Sequence, residues 1–126
     1  MTKILIVEDE PIVAEGMAMV LADAGHQVVG IASDEATAIK RAASVRPDLV
    51  LMDIKLANDN DGIETAKRMR ARAPVPVVFV SACLDPNTRQ RAAAVRPVGY
   101  LVKPYSPGQL IQTVTAAEQA MRSQHR

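Results

Sequence analysis

The chain has 126 residues, of which 48% are hydrophobic and 23% charged, with a formal net charge of +1 and one cysteine. That size and apolar content suit a single domain over 1–126 with a proper core, and the near-neutral balance supplies no whole-molecule field toward nucleic acid or an anionic membrane. The lone Cys83 excludes an internal disulfide and fits a reducing compartment, and Met1-Thr2-Lys3 leads straight into a short apolar run, so the chain reads as cytoplasmic, neither secreted nor membrane-spanning.

Apolar runs alternate with helical patterns along the whole length. Ile4-Leu5-Ile6-Val7 reads as a first strand, ends at Glu8 and Asp9, and precedes a helix near 11–24. A second strand over Gln27–Ala32 leads to a helix near 34–45. Leu49-Val50-Leu51-Met52 ends at Asp53, and Asp61-Gly-Ile-Glu64 opens a helix near 62–72 with an acceptor and a Glu three residues on. Val77-Val78-Phe79-Val80 ends at Ser81, and Asp85-Pro86 opens a helix near 86–95. Tyr100-Leu101-Val102 ends at Lys103. Ser106-Pro-Gly-Gln109 then starts a last helix over 107–122, with Leu110, Val114, Ala117 and Met121 on one stripe.

Strands alternating with helices select an α/β fold, a parallel sheet with helices on both faces, because each crossover carries the chain back over the sheet. Glu8, Asp9, Asp53, Ser81 and Lys103 each follow an apolar run, so in such a sheet they meet at its carboxyl edge, where α/β folds place their binding chemistry. No repeat, low-complexity tract, linker or output domain is visible. A stand-alone domain and a piece of a longer protein both remain open, with the short polar tail Arg122-Ser-Gln-His-Arg126 favouring the first.

Glu8-Asp9-Glu10 is the most informative local feature. A turn that binds phosphate directly is usually glycine-rich; this one carries three acids and Pro11, which repel a bare phosphate, so a cation must come first. Oxygen ligands without histidine or thiolate suit Mg²⁺, with Mn²⁺ possible. The plainer alternative is that the acids complement a helix dipole. Asp53 is the candidate nucleophile toward a phosphoryl donor, Lys103 the cation opposite the metal and Ser81 a hydroxyl donor to a phosphoryl oxygen. Singly, each has an ordinary reading as a strand-end cap, a solvated charge or a turn residue. Their matched positions at three strand ends favour the shared site.

The series Ile-Leu-Ile-Val-Glu8-Asp9-Glu-Pro, Pro-Asp-Leu-Val-Leu-Met-Asp53, Val-Phe-Val-Ser81-Ala82 and Gly-Tyr100-Leu-Val-Lys103-Pro104 resembles the receiver domain of two-component response regulators, of the chemotaxis-regulator type, over essentially the whole chain. The resemblance implies a flavodoxin-like sheet of five parallel strands in the order 2-1-3-4-5 with five helices. It also implies Mg²⁺-dependent transfer of phosphate from a histidine kinase or histidine phosphotransfer protein to Asp53, and slow self-catalysed loss of it. By position, Glu8, Asp9, Asp53 and the backbone carbonyl of Lys55 hold the metal, Ser81 and Lys103 contact the phosphoryl oxygens, Tyr100 is the switch aromatic and Lys103-Pro104 is a bond usually cis. Phosphorylation then draws Ser81 and Lys103 inward, Tyr100 fills the space vacated by Ser81, and the surface of the fourth helix, fifth strand and fifth helix changes toward an unknown downstream protein or a second copy, as in a homodimer. The fourth helix, Thr88-Arg-Gln-Arg-Ala-Ala-Ala-Val95, has few large apolar side chains and is expected to move readily.

Some positions depart from the pattern. The acid pair is Glu-Asp; the loop 54–62 is one residue longer than the commonest spacing, with Ala57 where proline is frequent. Lys55 can reach toward the phosphoryl group or remain a solvated lysine, and Cys83, without an activating histidine, reads as a bystander bordering the opening. The basic run Lys67-Arg-Met-Arg-Ala-Arg72 complements a helix C-terminus and brings no aromatic platform, so direct nucleic-acid binding is not expected. His26 and His125 share no ligand set, Tyr105 reads as packing, and Met17, Met19, Met52, Met69 and Met121 read mainly as core. The leading function is a phosphoacceptor switch that acts on no outside substrate. An aspartate-nucleophile phosphatase and an unphosphorylated, protein-binding pseudo-receiver are the alternatives; Lys55, standing where such phosphatases place a second acid, weighs against the first.

Overall fold

The structure, a computed structural model, describes residues 2–82 and 85–124. The readings made for Cys83 and His125 lie outside the described residues. Strands β1 (Lys3–Val7), β2 (Gln27–Ala32), β3 (Leu49–Asp53), β4 (Val77–Ser81) and β5 (Gly99–Val102) alternate with α1 (Pro11–Asp23), α2 (Glu35–Val45), α3 (Gly62–Arg72), α4 (Pro86–Ala94) and α5 (Pro107–Gln124). All strand pairs are parallel and the order is β2-β1-β3-β4-β5, the doubly wound, flavodoxin-like arrangement expected.

The three central strands are the near-continuous apolar runs, as strands covered on both faces must be. Alternation divides their side chains. Leu5, Val7, Val50, Met52, Val77 and Phe79 face α2, α3 and α4, meeting Ala38, Ala42, Ile63, Ala66, Met69 and Ala92. Ile4, Ile6, Leu49, Leu51, Val78, Val80 and Leu101 face α1 and α5, meeting Ala14, Met17, Leu21, Leu110, Val114 and Ala117. Reversal of direction between β1–β2 and β1–β3 opens the crevice at the carboxyl ends of β1 and β3.

Helix starts follow the local chemistry. Asp34, Asp61 and Asp85 cap α2, α3 and α4 by accepting from Thr37 N, Ile63 N and Thr88 N, each at 2.8 Å. Ser106 and Gln109 form a reciprocal capping box: Gln109 N donates to Ser106 Oγ at 3.1 Å and Ser106 N to Gln109 Oε1 at 2.7 Å. Helix α5 continues to Gln124, past the expected end, since nothing in the polar tail stops it.

The long β3–α3 loop closes on itself. Lys55 and Asp61 face each other in an isolated antiparallel bridge, flanked by Gly62 N donating to Ile54 O at 2.7 Å and Leu56 N donating to Asn60 O at 3.1 Å. Between them Ala57–Asp59 forms a 3₁₀ turn in which Asn58 takes a left-handed conformation, φ 62°. Ile54 and Leu56 are buried in the core, and Asn60 Oδ1 accepts from Glu35 N at 3.0 Å, laying the extra length against the start of α2.

Helix α4 buries only Ala92, as its composition foretold, yet arginine contacts hold its C-terminal half. Arg91 donates to Asp61 Oδ2 at 2.5 Å and lies 3.7 Å from Glu64 Oε1; Arg70 of α3 donates to Val95 O and, at 3.4 Å, to Arg96 O. The basic run of α3 is therefore more than a dipole complement, because Lys67 also pairs with Glu64 at 3.2 Å and Arg68 binds both oxygens of Glu35 at 2.7 and 2.6 Å. Among the methionines, Met19 is 69% exposed, so its place in an apolar pattern does not put it in the core. His26 is not a free turn residue: its ring is buried with Nδ1 3.8 Å from Glu118 Oε2, an oxygen that also accepts from Thr2 Oγ1.

Candidate functional site

Four strand ends supply the site. Glu8 follows β1, Asp53 ends β3, Ser81 ends β4, and Lys103 follows β5; Asp9 stands beside Glu8. Glu8, Asp9 and Asp53 each offer a carboxylate oxygen, and these lie within 4.8 Å of one another. The Lys103 ammonium bridges two of them, 2.9 Å from Asp53 Oδ2 and 3.4 Å from Glu8 Oε1. By strand alternation Glu8, Asp53 and Lys103 share the parity of the residues facing α1 and α5, whereas Ser81 shares that of Phe79 and faces α4. Ser81 is held in register against Val102, and its carbonyl accepts from Lys103 N at 2.8 Å, which fixes the two strand ends side by side.

Electrostatics bear on what the acids can hold. Burial pushes the Glu8 carboxyl up to about 7, helped by the hydrogen bond it shares with Asp9 and by the charge of Asp53, and opposed by Glu10 N–H and Lys103. Burial would lower the Lys103 ammonium, but the hydrogen bond and charge of Asp53, with Glu8, hold it above its ordinary value. The acids thus carry more negative charge than one lysine settles. Among the described residues their donor set is all oxygen, with no histidine or thiolate joining it, and fits a hard divalent cation such as Mg²⁺ or Mn²⁺. The Lys55 carbonyl accepts no hydrogen bond among the described residues, and Lys55 N donates to Asp53 Oδ1 at 3.2 Å, so the backbone of this residue adjoins Asp53.

Gly62 explains how the loop is placed. A Cβ built there would lie 2.0 Å from Asp53 O, so the start of α3 packs directly on the backbone of the reactive-acid candidate and only glycine fits. The Lys55 side chain is exposed and pairs with nothing among the described residues. Tyr100 stands 40% exposed on the edge strand, its ring 6.3 Å from Phe79. The Lys103–Pro104 bond is cis, and Tyr105 packs against the α1/α5 side of the core. Sequence reading missed Arg91 and Asp61 as neighbours of this site; the acid at the α3 cap was visible, but its partner across the loop was not.

A family model, the response regulator receiver domain, matches residues 4–115. The transcriptional regulatory protein PdtaR of Mycobacterium tuberculosis is 33% identical over 120 residues, covering 95% of this chain and 58% of that protein. Response regulator GacA of Pseudomonas syringae is 32% identical over 90% of this chain and 54% of its own length. The chain spans about half the length of these curated relatives. Among solved structures, the signal receiver domain of a modulated diguanylate cyclase from Desulfovibrio desulfuricans superposes with a TM-score of 0.89 at 34% identity, covering 98% of each chain. Chemotaxis protein CheY4 of Vibrio cholerae gives 0.85 at 28% identity, covering 93% of this chain and 98% of that one. With the expected strand order and the acids and lysine gathered at one sheet edge, the chain belongs to the response regulator receiver family of two-component systems.

Proposed function

We propose that residues 1–126 act as one phosphoacceptor switch in the cytoplasm, with Asp53 taking a phosphoryl group from a phosphohistidine on a histidine kinase or phosphotransfer protein. The observation that carries this reading is the ammonium of Lys103 at 2.9 Å from Asp53, whose carboxylate lies within 4.8 Å of those of Glu8 and Asp9. An Asp53 oxygen forms the O–P bond as the donor's N–P bond breaks, and the leaving imidazole nitrogen keeps the electron pair. Lys103 and the Ser81 hydroxyl then meet the transferred oxygens, and Glu8, Asp9, Asp53 and the Lys55 carbonyl are the groups that would hold Mg²⁺. When bound, the ion would neutralise charge on those oxygens. Water returns the carboxylate slowly, so the chain assists only its own cycle.

Two surfaces support the signalling role. An apolar groove lined by Ile12, Val13, Gly16, Pro104 and Tyr105 runs up to Lys103, giving a phosphodonor a place to seat. On the other side Tyr100 and Val102, 40% and 60% exposed, lie on the edge strand between α4 and α5 and offer a face to a downstream protein or a second copy. No helix among the described residues is long and apolar enough to cross a membrane.

Incubation with Mg²⁺ and acetyl phosphate followed by intact mass measurement tests the reading. One phosphoryl group per chain, lost in Asp53→Asn, supports the switch; repeated turnover indicates a phosphatase, and no adduct a pseudo-receiver.

A further inference from the structure

The geometry points to Arg91 as a positioning residue for the metal-facing loop, so that the seat of α4 and the affinity of the site for Mg²⁺ are two readings of one arrangement. This rests on the receiver reading of the site. Arg91 lies on α4, outside the acids and strand ends that form the centre, yet its guanidinium holds Asp61 Oδ2 at 2.5 Å. Asp61 is not a free surface acid. Its other oxygen caps α3 through Ile63 N at 2.8 Å, and its backbone faces Lys55 across the bridge that closes the loop. Lys55 is the residue whose carbonyl is assigned to the metal, and its N–H donates to Asp53 at 3.2 Å.

The connection has little slack. Gly62 N holds Ile54 O at 2.7 Å, and the Gly62 Cα packs so closely on Asp53 O that a shift of Asp61 must be shared by the backbone at 53–55. Arg91 therefore pulls on the far end of a closed loop whose near end carries two of the metal-facing groups. This route is separate from the one through Ser81 and the β4–α4 connection, since it enters α4 from the α3 side. If moving α4 changes the loop, then loading the loop must bias α4 by an equal coupling.

Charge alone makes the opposite prediction, which is what makes the idea testable. Removing any cation from the molecule should, by charge alone, leave Mg²⁺ binding unchanged or tighten it; removing a positioning contact should loosen it. Mg²⁺ affinity of the unphosphorylated protein is measured by calorimetry for the parent, Arg91→Gln, Arg91→Lys and Arg89→Gln. Arg89 sits on the same helix, and its side chain makes no pair among the described residues. We expect about threefold weaker binding in Arg91→Gln, the scale of a half-exposed ion pair, recovery in Arg91→Lys, and unchanged or slightly tighter binding in Arg89→Gln. Equal or tighter binding in Arg91→Gln, or no recovery with lysine, overturns the positioning role while leaving the receiver reading intact. A parent that binds no Mg²⁺ overturns both. Circular dichroism of each variant separates loss of the contact from loss of the fold.

Discussion

Helices α4 and α5 flank the same edge strand but are attached to the sheet by different physics. Helix α5 drives Leu110, Val114 and Ala117 fully into the core, while α4 contributes Ala92 alone and relies on the contacts of Arg91 and Arg70 along its C-terminal half. An apolar seat is non-directional, scales with buried area and is not weakened by ionic screening. A pair of charged clamps depends on geometry, is screened by ions and can be exchanged for water at low cost. The first suits a fixed wall, the second a part that must move when a charge appears next door.

The contrast can be broken most forcefully from the α5 side. Leu110→Ala should cost about 2–5 kcal/mol, the range for a fully buried leucine, read as a lower urea midpoint with an unchanged slope. A loss as small as that of a surface substitution would show that α5 is not seated as described.

The next effect comes from the buried acid. Because the folded Glu8 carboxyl is raised to about 7 from 4.5, the folded chain binds more protons than the unfolded one between those values. Metal-free stability should therefore fall as pH rises from about 4.5 to 7, and Mg²⁺ should flatten that decline by favouring the carboxylate. Melting temperatures at pH 5 and pH 7.5, each with chelator or Mg²⁺, check the sign; a metal-free protein more stable at pH 7.5 would contradict it.

A smaller effect sharpens the comparison directly. Amide exchange with and without a phosphoryl mimic should change across α4 and stay constant across the buried turns of α5, and added salt should raise exchange in α4 only. Equal protection of α4 in both states would remove its role as the moving part. Smallest of all, Lys55→Asn should alter the rate at which the phosphoryl group is lost without altering stability, since its exposed side chain pairs with nothing among the described residues. An unchanged rate would leave Lys55 as a solvated lysine.

The architecture was legible because its signals are local. Runs such as Leu49 to Met52 must be covered on both faces, and the polar group that ends each run marks the sheet edge, so the meeting of Glu8, Asp9, Asp53 and Lys103 is written in the sequence. The caps at Asp61, Asp85 and Ser106 were readable for the same reason. What escaped was pairing across the fold. Nothing in the spacing of Arg91 and Asp61 says that they touch, and Arg70 reaches carbonyls at the far end of another helix. The extra loop residue was visible, but its solution, a left-handed Asn58 and an Asn60 side chain bound to Glu35 N, depends on where α2 begins. Met19 followed an apolar pattern and still faces outward, because the stripe on α1 is wider than the core it covers.

Two glycines in this chain would separate cleanly in a saturation library. At position 16 a side chain meets nothing within 4 Å of the chain itself, so alanine should stabilise the helix by about 0.5–1 kcal/mol and enrich when folding alone is selected, while a larger side chain would fill the groove offered to the phosphodonor. At position 62 the wall is the main chain of Asp53 itself, and no neighbouring rotamer can yield to make room. Selection there should return one codon family and no other, which makes that column of the library an internal ruler for how far apart the loop and the third helix can drift before signalling fails.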